Sequence, residues 1–139
     1  MGLNEWNRRI IDEFRTNDGR NAGDFEGVPM IIVHHIGRKS GKTYENPLVY
    51  QPGPNGRMYL IGSFGGAPTD PAWFHNLLAA GRAKVEVAGD TFEVTATEVT
   101  GTERDEVFAK QKAALPAFGE YEKKTEGVRT IPVLALDRL

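Results

Sequence analysis

The segment of this sequence best suited to chemistry is a short basic turn at residues 37–43 (GRKSGKT), directly after a run of apolar residues. The turn combines Arg38, Lys39 and Lys42 with two hydroxyl side chains and two glycines. Glycine lets the backbone approach a ligand closely, and clustered cations with free backbone amides attract anions. A solvated hairpin tip is the alternative interpretation, but the glycine and serine residues beside the cations favour a phosphate or carboxylate site.

The same turn is not a nucleotide-binding loop of the Walker type. Residues 41–43 (GKT) end like that motif, but the motif needs a glycine five residues before Gly41, where this chain has Ile36. The sequence after the turn also predicts a strand, whereas a Walker loop opens a helix. We therefore exclude Walker chemistry and keep the anion site.

Two further segments bring small or aromatic residues together. Residues 63–68 (SFGGAP) place small residues at the expected end of a strand, where a flat ligand or a phosphate could lie against the backbone. An ordinary glycine turn is the alternative. Residues 71–77 (PAWFHNL) carry two aromatic side chains, a histidine and an asparagine within about one helical turn. We expect one aromatic residue in the core, while Trp73 walls a pocket and the Asn76 amide binds a polar ring edge.

The histidines do not predict a metal centre. His34 and His35 are adjacent in an expected strand and point to opposite faces, so they cannot chelate one ion together. No spacing around them or around His75 resembles a zinc site, and the chain has no cysteine to supply a thiolate, a disulfide or a nucleophile. Ser63 lacks the GxSxG elbow of serine hydrolases.

The pattern of apolar residues predicts mainly antiparallel β structure with flanking helices. In chain order we expect an amphipathic helix at about 3–17, strands at 28–36, 44–51 and 57–64, a helix between Asp70 and Gly81, strands at 84–88 and 91–98, a helix at 102–115 and a strand at 131–136. Asp70 is expected to cap its helix, residues 52–56 to form a hairpin loop, Gly89 and Asp90 a two-residue turn, and Tyr121 to lie on a short connecting segment. Such an order fits a closed or half-closed barrel better than a Rossmann sheet.

Length and composition limit the classes of function. A chain of 139 residues is expected to form one domain, 1–139. Its net charge of -2 argues against nonspecific binding of nucleic acid over the whole surface. The first residues lack the apolar run of a signal peptide or membrane helix, so we expect a soluble cytoplasmic protein. Peripheral membrane contact through the N-terminal helix is the rarer alternative to packing on the core.

Taken in order, these motifs resemble the deazaflavin-dependent nitroreductase family of actinobacteria, the small F420-dependent split-barrel reductases. The matching segments are 37–41 (GRKSG), 46–48 (NPL), Ser63 with 65–67 (GGA), 71–77 (PAWFHNL) and 129–133 (RTIPV), within about residues 28–137. Each motif is short, but their common order at compatible spacing is specific.

The resemblance implies a split β-barrel of the FMN-binding type, with coenzyme F420 held in a groove. It implies that Arg38, Lys39 and Ser40 hold the phosphate and the acidic tail. The remaining cofactor-binding residues that it implies are Tyr44, Glu45, Asn46, Pro47, Leu48, Val49, Ile61, Gly62, Ser63, Phe64, Ala72, Trp73, Phe74, His75 and Asn76. Where the nitroimidazole-reducing member has tyrosines around the acceptor, this chain has Val49, Leu115 and Phe118 and keeps only Tyr121.

The function that this resemblance implies is hydride transfer from reduced F420 to a quinone, a nitroaromatic or a conjugated enone. Ser63 is expected to hydrogen-bond the cofactor or acceptor oxygen, and Tyr121 to cap the acceptor and deliver a proton directly or through water. The alternatives are an FMN-dependent split-barrel reductase and a noncatalytic F420 carrier. The protein is expected to be a monomer or a homodimer.

Overall fold

The computed structural model describes residues 3–16 and 29–139. In chain order its elements are α1 (Leu3–Thr16), β1 (Met30–Ile36), β2 (Thr43–Val49), β3 (Gln51–Pro52), β4 (Met58–Ile61), α2 (Ala72–Ala80), β5 (Arg82–Val87), β6 (Asp90–Val99), α3 (Gly101–Ala114), α4 (Ala117–Thr125) and β7 (Val133–Arg138). Short 3-10 turns lie at Pro54–Gly56 and Phe64–Gly66. None of the described helices is long and apolar enough to cross a membrane.

All seven strands belong to one antiparallel sheet with the order β2-β1-β5-β6-β7-β4-β3. The sheet curls into a half-barrel, which brings its two edges to opposite sides of one opening. β2 is an edge strand, so Pro47 can occupy it without breaking a central ladder.

Strand β1 is apolar on both faces because it is covered on both faces. Ile31 and Val33 belong to the main core under helix α2, whereas Met30 and Ile32 pack against helix α1. The α1 side of this contact is formed by Ile10, Ile11 and Phe14, all buried. Membrane contact through these α1 side chains would therefore require the helix to leave the sheet.

The predicted hairpin at residues 52–56 is only partly right. Its loop joins β3 to β4, but β2 pairs with β1 and lies at the far edge of the sheet. The expected strand at 44–51 divides at Tyr50, because the residues up to Val49 pair with β1 whereas Gln51 and Pro52 pair with β4.

Three local predictions were wrong. Helix α2 begins after Pro71 without a side-chain cap, because the Asp70 carboxylate accepts a hydrogen bond from Arg129 instead. The turn between β5 and β6 is formed by residues 88–89, one position early, since Val87 pairs with Asp90. Tyr121 lies in helix α4, whose low apolar content hid it in the sequence.

Candidate active site

A cavity of about 780 Å³ fills the opening between the two edges of the sheet. Strand β2 forms one wall and the end of β4 the other, while helices α2 and α4 close its sides. A volume of this size accommodates a cofactor-sized ligand. The cavity is therefore where the curled sheet stops short of a closed barrel.

The basic turn lies at one end of this cavity. Its shape is fixed by hydrogen bonds from the N–H of Gly37 to the carbonyl of Lys42 (2.8 Å), and from the N–H of Lys42 to Ser40 Oγ (3.2 Å). Gly37 leaves room for this arrangement, because a Cβ atom would lie 2.5 Å from Ser40 Oγ and would push it away from the Lys42 N–H. Arg38 and Lys39 are exposed and line the cavity, so the turn presents two cations to a ligand.

A chain of polar contacts connects the basic turn to the cavity wall. Asn76 Oδ1 accepts hydrogen bonds from the backbone N–H of Arg38 (3.1 Å) and from its guanidinium (3.4 Å). Asn76 Nδ2 lies 3.0 Å from Nδ1 of the buried His35, and Nε2 of His35 lies 2.7 Å from Asn46 Oδ1. Burial lowers the pKa of His35 below its usual value, which favours the neutral ring.

The loop after β4 is held in an unusual backbone conformation. Phe64, Gly65 and Gly66 all have positive φ, at 48°, 62° and 83°. For Phe64 this is a strained position, and its side chain is half exposed at the cavity. Ser63 is buried on the cavity wall, and its hydroxyl has no hydrogen-bond partner among the described residues. The Ser63 hydroxyl can therefore donate a hydrogen bond to a ligand in the cavity or accept one from it.

The far end of the cavity is aromatic and apolar. Phe118 and Tyr121 of helix α4 meet edge to face with ring centroids 5.3 Å apart, and Leu115 and Val49 line the same cavity. Trp73 of helix α2 contributes to the main core and to the cavity wall. The site thus has a cationic end and an apolar end, a combination that suits a ligand with a charged tail and a flat ring.

Most residues predicted for the site surround this single cavity. They are Arg38, Lys39, Ser40, Tyr44, Asn46, Pro47, Leu48, Val49, Ile61, Ser63, Phe64, Ala72, Trp73, Asn76, Leu115, Phe118 and Tyr121. Four predicted residues do not line it: Gly62, Glu45, Phe74 and His75. Phe74 is buried in the main core, and its ring meets His75 edge to face at 5.4 Å.

Eight lining residues were not among the individually predicted site residues, although Gly37, Gly65 and Pro71 belong to the predicted binding segments. They are Asn7, Met30, His35, Gly37, Leu60, Gly65, Pro71 and Ala117. His35 could have been found, because strand alternation places it on the same face as Ile31 and Val33. Asn7 could not, since it reaches the cavity from helix α1 and no local pattern shows where that helix packs.

Glu45 points away from the cavity into an ion-pair network under helix α1. Arg15 contacts Glu86 (2.6 Å) and Glu45 (3.1 Å), and His34 Nε2 lies 2.7 Å from Glu86 Oε2. His34, Glu45 and Glu86 approach within 4.8 Å of one another, which strand spacing alone did not reveal. Because Arg15 pairs with both carboxylates and Arg8 also contacts Glu45 (3.5 Å), we interpret the cluster as a structural ion-pair network that fixes helix α1.

Comparison with known proteins gives matches that span nearly the whole chain. A family model described as F420H(2)-dependent quinone reductase matches residues 6–138. An F420H(2)-dependent quinone reductase of Mycobacterium tuberculosis is 30% identical over 132 residues, covering 90% of this chain and 85% of that protein.

Solved structures match at a similar level. One described as an F420-H2 dependent reductase (FDR-A) is 32% identical, with a TM-score of 0.68 over 78% of this chain and 94% of that chain. Another, described as a domain-swapped dimer, is 32% identical with a TM-score of 0.69, covering 97% and 96% of the two chains. These matches confirm the predicted split-barrel fold.

Proposed function

Because this chain belongs to the F420H(2)-dependent quinone reductase family, we propose that its cavity holds reduced F420 between the basic turn and Trp73. The chain is an oxidoreductase that passes a hydride from F420H2 to a quinone, which confirms the class of reaction expected from the sequence. The residues that bind the cofactor and the acceptor are the subject of the proposal.

The observation that carries the proposal is the placement of two cations at one end of a mainly apolar cavity. F420 has a phosphodiester and a glutamate tail at one end and a planar deazaflavin ring at the other. Arg38 and Lys39 match the anionic end, since guanidinium and ammonium groups form charge-assisted hydrogen bonds with phosphate and carboxylate. The apolar walls from Leu48 to Trp73 match the ring, and the cavity volume of about 780 Å³ suits a ligand of this size.

When bound, reduced F420 supplies the hydride, and the protein supplies position and exclusion of water. The Ser63 hydroxyl is the group available to hydrogen-bond a carbonyl oxygen of the ring or of the acceptor, because no described residue uses it. The backbone carbonyl of Ser63 accepts hydrogen bonds from Gly66 and Arg129. These contacts fix the backbone from which the Ser63 side chain extends. Fixed donors of this kind favour one orientation of the reacting atoms.

The acceptor pocket that we propose is formed by Val49, Leu115, Phe118 and Tyr121 at the apolar end of the cavity. Flat apolar rings pack well against such a surface, which suits quinones first and leaves nitroaromatics and conjugated enones as further acceptors. Tyr121 is the one hydroxyl on this wall, so it is the residue that we assign to cap the acceptor and to deliver a proton.

The test of this proposal is turnover with reduced F420 under anaerobic conditions, using menadione as the quinone. Oxidation of reduced F420 that depends on both enzyme and menadione supports the proposal. Binding without turnover would indicate a carrier instead. Purification with a bound yellow flavin, together with no response to F420, would favour FMN and would contradict the assignment.

We also propose that the chain forms a homodimer, on the precedent of the relative described as a domain-swapped dimer. Helix α1 is the candidate for exchange, because it packs on β1 and β2 through the five-residue cluster described above and joins the barrel through residues 17–28. Light scattering after size-exclusion chromatography tests this: twice the chain mass supports it, and a single chain mass at all concentrations contradicts it.

A further inference from the structure

A chain of hydrogen bonds runs from Arg38 through Asn76 and His35 to Asn46. The backbone N–H at its start determines which atom donates and which accepts at each step. The backbone N–H of Arg38 can only donate, so the Asn76 atom that it contacts at 3.1 Å must be the carbonyl oxygen Oδ1. The amide nitrogen of Asn76 then faces His35 Nδ1 at 3.0 Å, and this ring nitrogen must accept. The proton of the neutral ring is therefore on Nε2, which donates to Asn46 Oδ1 at 2.7 Å.

We propose that neutral His35 is a positioning residue, which orients Asn76 so that Asn76 holds Arg38 in the anion-binding position, and that protonation of His35 weakens cofactor binding. The inference rests on the proposed function, in which Arg38 binds the anionic end of F420. It adds His35, which the sequence did not assign to the site, and it predicts whether acid strengthens or weakens cofactor binding.

The physical step is a conflict between two donors. A protonated His35 carries hydrogen on both ring nitrogens, so Nδ1–H would face the N–H groups of the Asn76 amide. Asn76 can relieve the conflict by rotating its amide, which turns Oδ1 toward His35 and Nδ2 toward the backbone N–H of Arg38. Both contacts from Arg38 to Oδ1, through the backbone and through the guanidinium, are then lost.

The surroundings of His35 favour its neutral form before ligand binds. Tyr44 of β2 stacks on the imidazole with centroids 5.5 Å apart, and Asn46 and Asn76 take its two nitrogens. A second cavity of about 300 Å³ lies beside the ring and shares His35 and Asn76 with the first. The titratable and charged groups around His35 are His34, Arg38, Tyr44, Arg82, Lys84 and Glu93. Because the ring is buried and the neighbouring His34 also disfavours a second positive charge, the neutral form of His35 is favoured.

A simple charge effect would give the opposite result. A bound anion attracts a protonated imidazole, so charge attraction alone predicts tighter F420 binding at acid pH. Positioning through Asn76 predicts weaker binding at acid pH. The sign of the change therefore separates the two accounts.

The experiment is fluorescence titration of F420 with the full-length protein near pH 7.5 and near pH 5. We expect the wild-type affinity to fall about tenfold on acidification, because two contacts to Arg38 are lost. His35→Gln can still donate to Asn46 and accept from Asn76 but cannot titrate, so its affinity should change less than about twofold. Any titration of F420 itself affects both proteins equally. The control is His34→Gln, on the opposite face of β1, which should keep the wild-type pH response.

A second readout needs no cofactor. Long-range proton–nitrogen NMR of the free protein near pH 7.5 should show His35 protonated at Nε2 and unprotonated at Nδ1. The opposite tautomer would overturn the inference, as would an affinity that is constant or tighter at acid pH, or a His35→Gln variant with the wild-type pH response. No binding of F420 by the wild type near pH 7.5 would instead overturn the proposed function.

Discussion

Arg129 donates a 2.9 Å hydrogen bond from its guanidinium to the backbone carbonyl oxygen of Ser63. The same side chain, only 10% exposed, donates to the carbonyls of Gly62 (3.1 Å) and Ala67 (3.0 Å) and to the carboxylate of Asp70 (2.8 Å). A planar guanidinium can satisfy several acceptors at fixed angles, which an ammonium group cannot. The segment before β7 therefore fixes the loop that carries Ser63 and the residues of positive φ.

Replacing Arg129 by methionine should destabilise the protein by about 3–5 kcal/mol, because Asp70 and three carbonyls would each lose a donor and, among the described residues, only the Ser63 carbonyl keeps another, from the N–H of Gly66. Chemical denaturation measures the loss. Arg129→Lys should recover part of the stability while still lowering turnover, since one ammonium group cannot hold the whole loop. The matched control is Arg82→Met, an exposed pair with Glu93, which should cost less than about 1 kcal/mol. Equal losses for the two methionine variants would contradict this role of Arg129.

Gly65 and Gly66, in the loop after β4, offer a test of whether helix α4 packs against this loop. Both have positive φ, but a Cβ on Gly65 would meet open space, whereas one on Gly66 would lie 2.8 Å from Lys124 Cδ and 3.4 Å from Tyr121 Cα. Gly65→Ala should cost about 1 kcal/mol for backbone conformation alone. Gly66→Ala should cost more and should also raise KM for the quinone by displacing Tyr121. Indistinguishable stability and KM would show that α4 does not rest on this glycine.

The sequence predicted most strands and most of the residues that line the cavity, because those signals lie in short local motifs. The alternation of apolar residues predicted β5 and β6, and the local composition indicated the basic turn and helix α2. Long-range partners were not predictable: Asp70 was expected to cap a helix, but Arg129 lies 59 residues away and takes its carboxylate. The same holds for Glu45, which Arg15 and His34 draw to the opposite face of the sheet.

Tyr121→Phe should lower kcat roughly tenfold while leaving F420 affinity unchanged, because it removes a proton donor and keeps the ring that packs on Phe118. Stopped-flow oxidation of reduced F420 by menadione gives the rate. Tyr50→Phe removes a phenol that does not line the cavity and is the control. A Tyr121→Phe enzyme with wild-type kcat would remove Tyr121 from the proton path and leave water as the donor.

Acid should loosen the ion pairs beneath helix α1. Hydrogen bonds from Arg15 and His34 lower the pKa of Glu86 below its usual value of about 4.5. A lowered carboxyl pKa contributes stability that is present above 4.5 and is lost as the pH falls through the lower, folded-state pKa. Glu86→Gln should therefore reduce stability near neutral pH by about 1 kcal/mol and flatten its decline below pH 4.5.

Denaturation across an acidic pH series checks this prediction. Glu120→Gln, in an exposed pair with Lys123, should leave the profile unchanged. An unchanged acid profile for Glu86→Gln would mean that this carboxylate does not couple helix α1 to pH.

The most direct measurement of the central claim is the affinity for F420 of Arg38→Ala combined with Lys39→Ala, compared with Lys110→Ala, whose side chain is exposed on helix α3. The account predicts that the double variant binds about 2 kcal/mol more weakly at low salt, that the difference shrinks at high salt, and that Lys110→Ala binds like the wild type. An affinity for F420 that is unchanged in the double variant would contradict the assignment of the basic turn as the anion site.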